Sequence, residues 1–211
     1  MPYRRYTRVP ASPYRDPLEI IWTRAAEELG FEISRRSDVY AWYDGAGRIM
    51  LTTPDDMDPD DHMGQLILHE LCHALVAGPK KAVLPDWGLP TMDDGDHLEE
   101  HAANRLQAAL AQRVGLRSFF ATTTVFRRYY DRLPADPLAP SDDPAAQVAR
   151  QAAERGGAPP WRDVLERALQ ATAALRHILA AFTGPRSNLW HDAQAGDRGP
   201  TCLGTGRRPT R

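Results

Sequence analysis

The sequence predicts an α+β fold in which a small, mainly antiparallel sheet packs on one buried helix and further helices follow. Three patterns indicate this fold. A helix-compatible apolar run spans residues 66–76, two strand-like stretches flank a glycine-containing turn at 44–47, and amphipathic helical patterns lie before and after them. With 211 residues, 42% hydrophobic and 26% charged, the chain has an ordinary globular composition and can bury one substantial core.

The chain is expected to begin with a flexible arm, followed by a helix. Residues 1–15 contain three prolines and no regular pattern, which predicts a flexible N-terminal arm. Asp16 followed by Pro17 and Glu19 is typical of a helix start, because an aspartate caps free N–H groups and proline needs no N–H there. Gly30 is placed to end this helix.

Short strands and an acidic connector come next. Residues 31–33 alternate as a short strand does, and residues 39–43 and 48–52 flank the turn at 44–47, which predicts a β-hairpin. Residues 55–61 contain five aspartates. Because a helix N-terminus carries partial positive charge, we expect this connector to stabilise the start of the helix that follows.

The apolar run contains a His-Glu-x-x-His motif formed by His69, Glu70 and His73. Residues four apart lie on one face of a helix, so both imidazoles can face the same metal ion. Glu70 is rotated by about 100° from His69. Its carboxylate would lie beside the ion, where it can take a proton from a metal-held water. The motif therefore predicts zinc-peptidase chemistry, with two packed core histidines as the simpler alternative.

A catalytic zinc needs a third protein ligand from elsewhere in the chain. A histidine at position 79 would complete the extended metzincin motif, but Pro79 stands there. The stretch 96–110 is the better source, because it is rich in alanine and leucine and predicts a second helix.

Donors that stabilise the oxyanion formed during hydrolysis are a further part of such a site, and the candidates are Arg127, Tyr129 and Tyr130.

Glu100 is the predicted third ligand. Asp96 is a candidate N-cap with Glu99 as its capping-box partner, which leaves Glu100 for the metal. Glu99 is the competing ligand, because it aligns with the apolar residues of the predicted helix. Asn104 lies one turn after Glu100 and is expected to hydrogen-bond a ligand histidine. Weaker candidate ligands are Asp86, His97 and His101.

The C-terminal half is expected to be helical and then disordered. Residues 125–133 predict a short helix, 134–144 contain four prolines and predict a linker, and 163–182 show an amphipathic helical pattern. The predicted organisation is an arm at 1–15, a catalytic domain at 16–133, a helical extension at 134–183 and a disordered tail at 184–211.

The motifs resemble those of a known family. Segments 47–51 and 68–73, with Glu100 followed by Ala103 and Asn104, resemble the ImmA/IrrE family of His-Glu-x-x-His metallopeptidases. The resemblance covers about residues 16–115. It implies a minimal zincin-like fold, with a strand that ends just before the motif helix. For the site it implies three ligands and one base, namely His69, His73 and Glu100 as ligands and Glu70 as the general base.

A second resemblance leaves the chemistry open. His69, Glu70 and His73, with Asp86, Trp87 and Gly88 downstream, are similar to elongation factor P hydroxylases. That similarity implies Fe²⁺ and oxygenation, and two histidines with one carboxylate are also the ligand set of non-haem iron oxygenases. Three classes therefore stay open. They are a zinc metallopeptidase acting on a peptide or protein substrate, an iron-dependent hydroxylase, and a catalytically silent metal-binding sensor.

Charge and cysteine content indicate the setting. The formal net charge of −2 gives no reason to expect a nucleic-acid or membrane-surface partner, and no apolar run is long enough to span a membrane. The N-terminus lacks the apolar core of a signal peptide. Cys72 and Cys202, the two cysteines, predict no structural disulfide. We therefore expect a cytoplasmic protein.

Overall fold

The computed structural model describes residues 11–12, 14–89, 97–183 and 188–191, and these residues form an α+β fold, as predicted. The predicted N-terminal arm and C-terminal tail lie largely outside them. Within the described residues, no helix combines the length and the apolar character needed to cross a membrane. The main elements are α1 (Pro17–Glu28), β1 (Glu32–Arg35), β2 (Ala41–Tyr43), β3 (Arg48–Leu51), α2 (Met63–Lys81), α3 (Leu98–Gln112), α4 (Arg127–Tyr130), α5 (Pro144–Gly156) and α6 (Trp161–Leu179).

Helix α1 has the predicted start and end. The Asp16 carboxylate accepts a hydrogen bond from the Leu18 N–H at 2.8 Å and so caps the helix. Gly30 has a φ of 89°, a left-handed conformation that glycine adopts readily, and it turns the chain towards β1. The inner face of α1 buries Trp22, whose indole donates to the Thr172 hydroxyl of α6 at 3.1 Å. This bond ties the first described helix to α6.

Strand β3 is the centre of a three-stranded sheet with the order β1-β3-β2. Strand β2 pairs antiparallel to β3, which confirms the predicted hairpin, whereas β1 pairs parallel to β3. The sheet is therefore mixed rather than mainly antiparallel, because β1 joins the free edge of β3 instead of extending the hairpin. Ile49 and Leu51 alternate along β3 and are fully buried, so one face of the sheet contributes to the core.

Helix α2 carries the His-Glu-x-x-His motif through the centre of the core. The His62 ring begins it, with Nδ1 accepting the Gln65 N–H at 3.2 Å and Nε2 donating to the Phe119 carbonyl at 3.0 Å. Because Nδ1 must accept, His62 caps the helix in its neutral form. Burial lowers the pKa of His62 to about 4. The apolar side chains that bury the helix are Leu66, Ile67, Leu68, Leu71 and Leu75.

The regular part of α2 ends at a kink. Gly78 leaves the helical conformation, with φ 62° and ψ −177°, and Pro79 has no N–H to donate. Carbonyl groups in the preceding turn therefore lose their helical partners. The Arg155 guanidinium of α5 replaces them, donating to the Leu75 carbonyl at 2.6 Å and to the Val76 carbonyl at 3.2 Å.

Helix α5 is a departure from the prediction, which placed a linker at 134–144 and no helix directly after it. Asp143 accepts the Ala145 N–H at 2.9 Å and Pro144 lies in the first turn, so the last proline of the linker begins a helix. The buried face of α5 consists of alanines and Gly156, so it lacks the large apolar side chains that mark the other helices in the sequence.

The two other C-terminal helices agree with the prediction. The helix predicted within 125–133 is α4, and the one predicted at 163–182 is α6. Helix α5 packs on α2 and α3, and α6 packs on α1. Buried residues of both α5 and α6 belong to the same hydrophobic cluster as β3 and α2. The C-terminal helices are therefore part of the same core as the helix that carries the His-Glu-x-x-His motif.

Candidate metal centre

Helices α2 and α3 bring His69, His73 and Glu100 to one point. The Nε2 atoms of His69 and His73 are 3.0 Å apart. The two carboxylate oxygens of Glu100 lie 3.3 Å from His73 Nε2 and 3.6 Å from His69 Nε2. The four-residue spacing on α2 aligns the imidazoles, and α3 supplies the carboxylate from across the helix interface.

The spacing of these atoms suits a tetrahedral metal ion. Ligand atoms placed about 2.0–2.1 Å from a tetrahedral zinc are about 3.3 Å from one another, close to the three separations found here. Each of the three residues offers a ligand atom, and these atoms lie within 4.8 Å of one another. Glu100 Oε2 is buried without a hydrogen-bond partner among the described residues, and a cation would satisfy it. Nitrogen and carboxylate donors in this ratio suit Zn²⁺ or Fe²⁺.

Gln107 of α3 orients His69, the role that the sequence-based prediction gave to Asn104. Gln107 Oε1 lies 2.7 Å from His69 Nδ1, and Gln107 Nε2 donates to the Phe120 carbonyl, which fixes the amide with its oxygen towards the ring. In the neutral imidazole, Nδ1 therefore carries the proton and Nε2 presents its lone pair to the other ligands. The expectation for Asn104 is wrong, because its amide donates to the Glu100 backbone carbonyl at 2.9 Å.

Glu99, the competing candidate ligand, points away from the histidines. Its carboxylate forms an ion pair with the Lys81 ammonium at the end of α2. Helix α3 begins at Leu98, with His97 at the N-cap position and no side-chain cap. The N-cap is therefore not Asp96, which lies outside the described residues. The ion pair with Lys81, rather than the predicted capping box, holds Glu99 away from the histidines, and Glu100 faces them instead.

Burial and charge together shift the pKa values of two candidate ligands, His69 and Glu100. Burial disfavours the charged imidazolium, but the negative Glu100 carboxylate 3.6 Å away outweighs this, and the pKa of His69 is raised to about 9. Burial alone would raise the pKa of Glu100, but His73 and His69 hold that pKa well below its usual range. Since a metal would replace the proton on His69 Nε2, binding at this site would release a proton.

Glu70 lines the same cavity as the ligands but is bonded to a different element. Its Oε2 accepts a hydrogen bond from the Trp87 indole N–H at 2.9 Å, and both residues are buried. Trp87 belongs to the turn Pro85–Gly88, in which Asp86, Trp87 and Gly88 have φ values of 50°, 57° and 65°. This left-handed turn costs about 1–3 kcal/mol for each non-glycine residue, so the surrounding contacts must maintain it.

The β-hairpin holds the left-handed turn in place. The Tyr43 ring of β2 stacks on Trp87, with centroids 3.6 Å apart and planes inclined by 5°. The Tyr43 hydroxyl also donates to the Ala82 carbonyl at 2.8 Å. Gly45 in the hairpin comes so close that a Cβ atom there would lie 2.9 Å from the Leu84 carbonyl carbon. The position of the Trp87 indole is therefore set by the hairpin as much as by α2.

A cavity of about 310 Å³ opens onto the three candidate ligands. Ala41 of β2 and Leu89 contribute apolar surface, and Asp86 and His97 also line it. Burial and the negative charge of Glu70 raise the pKa of Asp86. Among the described residues, neither Asp86 nor His97 joins the group that could hold a metal. The third weaker candidate, His101, stacks on the ring of Tyr129 with centroids 3.8 Å apart.

The three candidate oxyanion donors, Arg127, Tyr129 and Tyr130, have hydrogen-bond partners outside the candidate site. None of them is among the described residues that line the cavity. The expectation for these residues is therefore wrong, because the two tyrosine hydroxyls connect α4 to other elements and Arg127 pairs with the C-cap residue of α4 at the surface. Their partners are Asp131 for Arg127 at 2.9 Å, Asp143 for Tyr129 at 2.7 Å and the Arg117 carbonyl for Tyr130 at 2.8 Å.

Comparison of this chain with protein-family models, with curated proteins and with solved structures finds no significant match. The resemblance to the ImmA/IrrE family, and the competing resemblance to elongation factor P hydroxylases, therefore stay predictions from the motifs. A functional proposal for this chain rests on the geometry of its own residues.

Proposed function

We propose that this protein is a zinc-dependent metallopeptidase with a minimal zincin-like fold. The observation that carries the proposal is the meeting of His69, His73 and Glu100 at separations of 3.0 Å, 3.3 Å and 3.6 Å, beside a cavity that Glu70 also lines. Three protein ligands leave one tetrahedral position for water, which is the arrangement of a catalytic zinc rather than a structural one.

The chain's own residues divide the work of hydrolysis. A bound zinc ion would acidify a water molecule and polarise the carbonyl of the peptide bond to be cleaved. Glu70 accepts the proton from the attacking water and passes it to the leaving amine, acting as a general base and then as a general acid. Gln107 keeps the His69 ring in the orientation that frees its Nε2 for the metal.

Strand β2 offers a place for the substrate backbone. It lies at an edge of the sheet, and Tyr40 and Ala41 line the cavity. An edge strand presents unpaired backbone groups with which an extended peptide can form hydrogen bonds. We therefore expect an extended segment of a peptide or protein substrate to run along β2 with its scissile bond next to the three ligands.

An iron-dependent hydroxylase is the second candidate, and the ligand set is the observation that favours it. Two histidines and one carboxylate also hold Fe²⁺ in oxygenases, which keep open positions for oxygen and substrate. The two functions differ in their use of Glu70. Peptide hydrolysis needs this carboxylate as a base, whereas oxygenation has no obligatory role for it.

The proposal is tested with metal content and hydrolysis measured on the same preparations. Wild-type protein, purified without added metal, is expected to contain close to one zinc and to cleave members of a randomised peptide library detected by mass spectrometry. Glu70→Gln should keep the metal and lower hydrolysis by at least about 10²-fold, because the amide keeps the shape but cannot accept the proton.

Other outcomes would assign a different function. Iron in anaerobically purified protein, with oxygen-dependent modification and no cleavage, would replace the peptidase by the hydroxylase. Full zinc content without cleavage of any peptide would indicate a catalytically silent metal-binding sensor. Hydrolysis that persists in metal-loaded Glu70→Gln would contradict the assigned base.

A further inference from the structure

We propose that Trp87 is a positioning residue, whose indole N–H holds the Glu70 carboxylate in the orientation needed for proton transfer. This inference rests on the proposed function for its catalytic consequence. The hydrogen bond itself can be measured whether or not the protein cleaves peptides.

Within the described residues, the Trp87 indole donates a hydrogen bond to the Glu70 carboxylate. The indole Nε1–H lies 2.9 Å from Oε2, and Glu70 and Trp87 are 5% and 1% exposed, so little water can replace the bond. A buried carboxylate without such a donor is unstable in that orientation. With Oε2 engaged by the indole, the other oxygen is left for a proton.

Glu70 needs a fixed orientation because of where it lies in the sequence. It is next to His69 on α2, and a glutamate has three flexible torsions. A free carboxylate at this distance could bind the metal itself and displace the water that it should activate. A hydrogen bond from the Trp87 indole in the turn Pro85–Gly88 prevents this. Small misplacements of a reacting group lower rates strongly.

The backbone of Trp87 indicates that its place is maintained for a reason other than packing. Trp87 and Asp86 both have left-handed φ values, which an aromatic core residue does not require. The turn is kept in this conformation by the stacked Tyr43 ring and by the close approach of Gly45. A phenylalanine would keep an aromatic ring next to Tyr43, although it is smaller than the indole, but it has no N–H.

Trp22 provides the comparison within the same molecule. It is also fully buried, and its indole also donates a hydrogen bond, to the Thr172 hydroxyl at 3.1 Å. Its backbone lies in the regular helix α1, and its acceptor is a neutral group distant in sequence from the motif. A buried, bonded indole is therefore not by itself a sign of function. The carboxylate acceptor and the left-handed backbone distinguish Trp87.

The test compares Trp87→Phe with Trp22→Phe on the full-length, metal-loaded protein. Each change removes one buried indole hydrogen bond and keeps an aromatic ring. We expect Trp87→Phe to keep its metal and its KM within about twofold, and to lower kcat by at least about 10-fold. Trp22→Phe should leave kcat within about twofold of the wild type, although both variants lose stability. Equal kcat in Trp87→Phe and the wild type would overturn the proposal.

A spectroscopic measurement tests the hydrogen bond separately from activity. The chain has five tryptophans, so the indole N–H signals in a ¹⁵N-labelled sample can be assigned by the loss of one signal in each Phe variant. We expect Glu70→Gln to move the Trp87 signal and leave the Trp22 signal in place. An unmoved Trp87 signal would overturn the proposal. If the wild type cleaves no peptide, the proposed function fails, and this shift alone decides whether Trp87 holds Glu70.

Discussion

The motif helix and the left-handed turn contribute to the candidate site in different ways. On α2, the regular helical spacing alone aligns His69 with His73. In the turn Pro85–Gly88, the Trp87 indole reaches Glu70 from a backbone conformation that contacts with the hairpin must maintain. A pair of metal ligands is thus specified within five residues. The orientation of Glu70, the proposed base, depends on three separate parts of the chain, namely α2, the turn and the hairpin.

The motif helix and the left-handed turn also differ in what stabilises them. Helix α2 is stabilised by its own backbone hydrogen bonds and by nearly complete burial. The turn has two non-glycine residues in a costly conformation, so it can persist only while Tyr43 and Gly45 stay in place. A substitution that displaces the hairpin should therefore displace the turn and with it the Trp87 indole. The alignment of His69 and His73 on α2 should not change.

The largest effect is expected at the ligand that α3 contributes. Glu100→Gln should weaken metal binding by more than about 100-fold, because an uncharged amide replaces a carboxylate that faces both histidines. Glu99→Gln is the matched control and should change the affinity by less than about threefold, because Glu99 pairs with Lys81 instead. Competition with a chromophoric chelator measures both. A larger loss in Glu99→Gln would mean that the neighbouring residue is the ligand.

A smaller loss of metal affinity is expected from the residue that orients His69. Gln107→Ala should weaken binding by about 10–100-fold, because the imidazole loses the acceptor of its Nδ1 proton. Gln112→Ala is the control on the same helix, since that exposed side chain bonds to the Ala135 carbonyl. The same chelator competition applies. Equal affinities in the two variants would show that the motif helix aligns its ligands without help from α3.

The dependence of the turn on the hairpin is tested with two glycines of similar backbone conformation. Gly45 and Gly30 have φ values of 77° and 89°, so alanine is strained at both. A Cβ atom at Gly45 would lie 2.9 Å from backbone atoms of Leu84 and Pro85, whereas nothing lies within 4 Å of one at Gly30. Gly45→Ala should therefore lower the free energy of unfolding by about 1–3 kcal/mol more than Gly30→Ala. Urea denaturation measures the difference, and equal losses would contradict the close approach.

The smallest effect at neutral pH is expected at the start of the motif helix. The folded pKa of His62, about 4, is below its ordinary value of 6.5, so the unfolded chain binds more protons between these values. The stability contributed by neutral His62 is complete above pH 6.5 and is lost as the pH falls towards 4. His62→Asn can still cap α2 but cannot titrate. Its unfolding free energy should fall less steeply over this pH window than that of the wild type, and parallel curves would contradict the assignment.

Local signals were sufficient to predict the parts of the molecule that depend on local spacing. The hairpin, the capped start of α1 and the approach of His69 and His73 all follow from turn residues, caps or helical periodicity. Glu100 could be favoured over Glu99 from the sequence. What directs Glu99 away is the ion pair with Lys81, a tertiary contact that no local pattern shows.

The residues that the sequence did not reveal act through tertiary contacts. The sequence predicts Asn104 rather than Gln107 as the partner of a ligand histidine. Both amides lie on α3, and only the packing of α3 on α2 decides which one reaches His69. Trp87 was noted within a motif, but its hydrogen bond to Glu70 depends on a left-handed turn that a Trp side chain does not predict. Helix α5 is not predicted, because its buried face has alanine and glycine where the other helices have large apolar side chains.

The capping of α2 by Arg155 has a consequence for the order in which the protein is made. Arg155 follows Leu75 by 80 residues, whereas His69, His73 and Glu100 all leave the ribosome before it. During synthesis the three ligands are therefore available while the carbonyls at the kink of the motif helix are still exposed to water. A chain cut after residue 133 would contain the three candidate ligands, Glu70 and Trp87, and would still lack the guanidinium that completes the helix carrying two of those ligands.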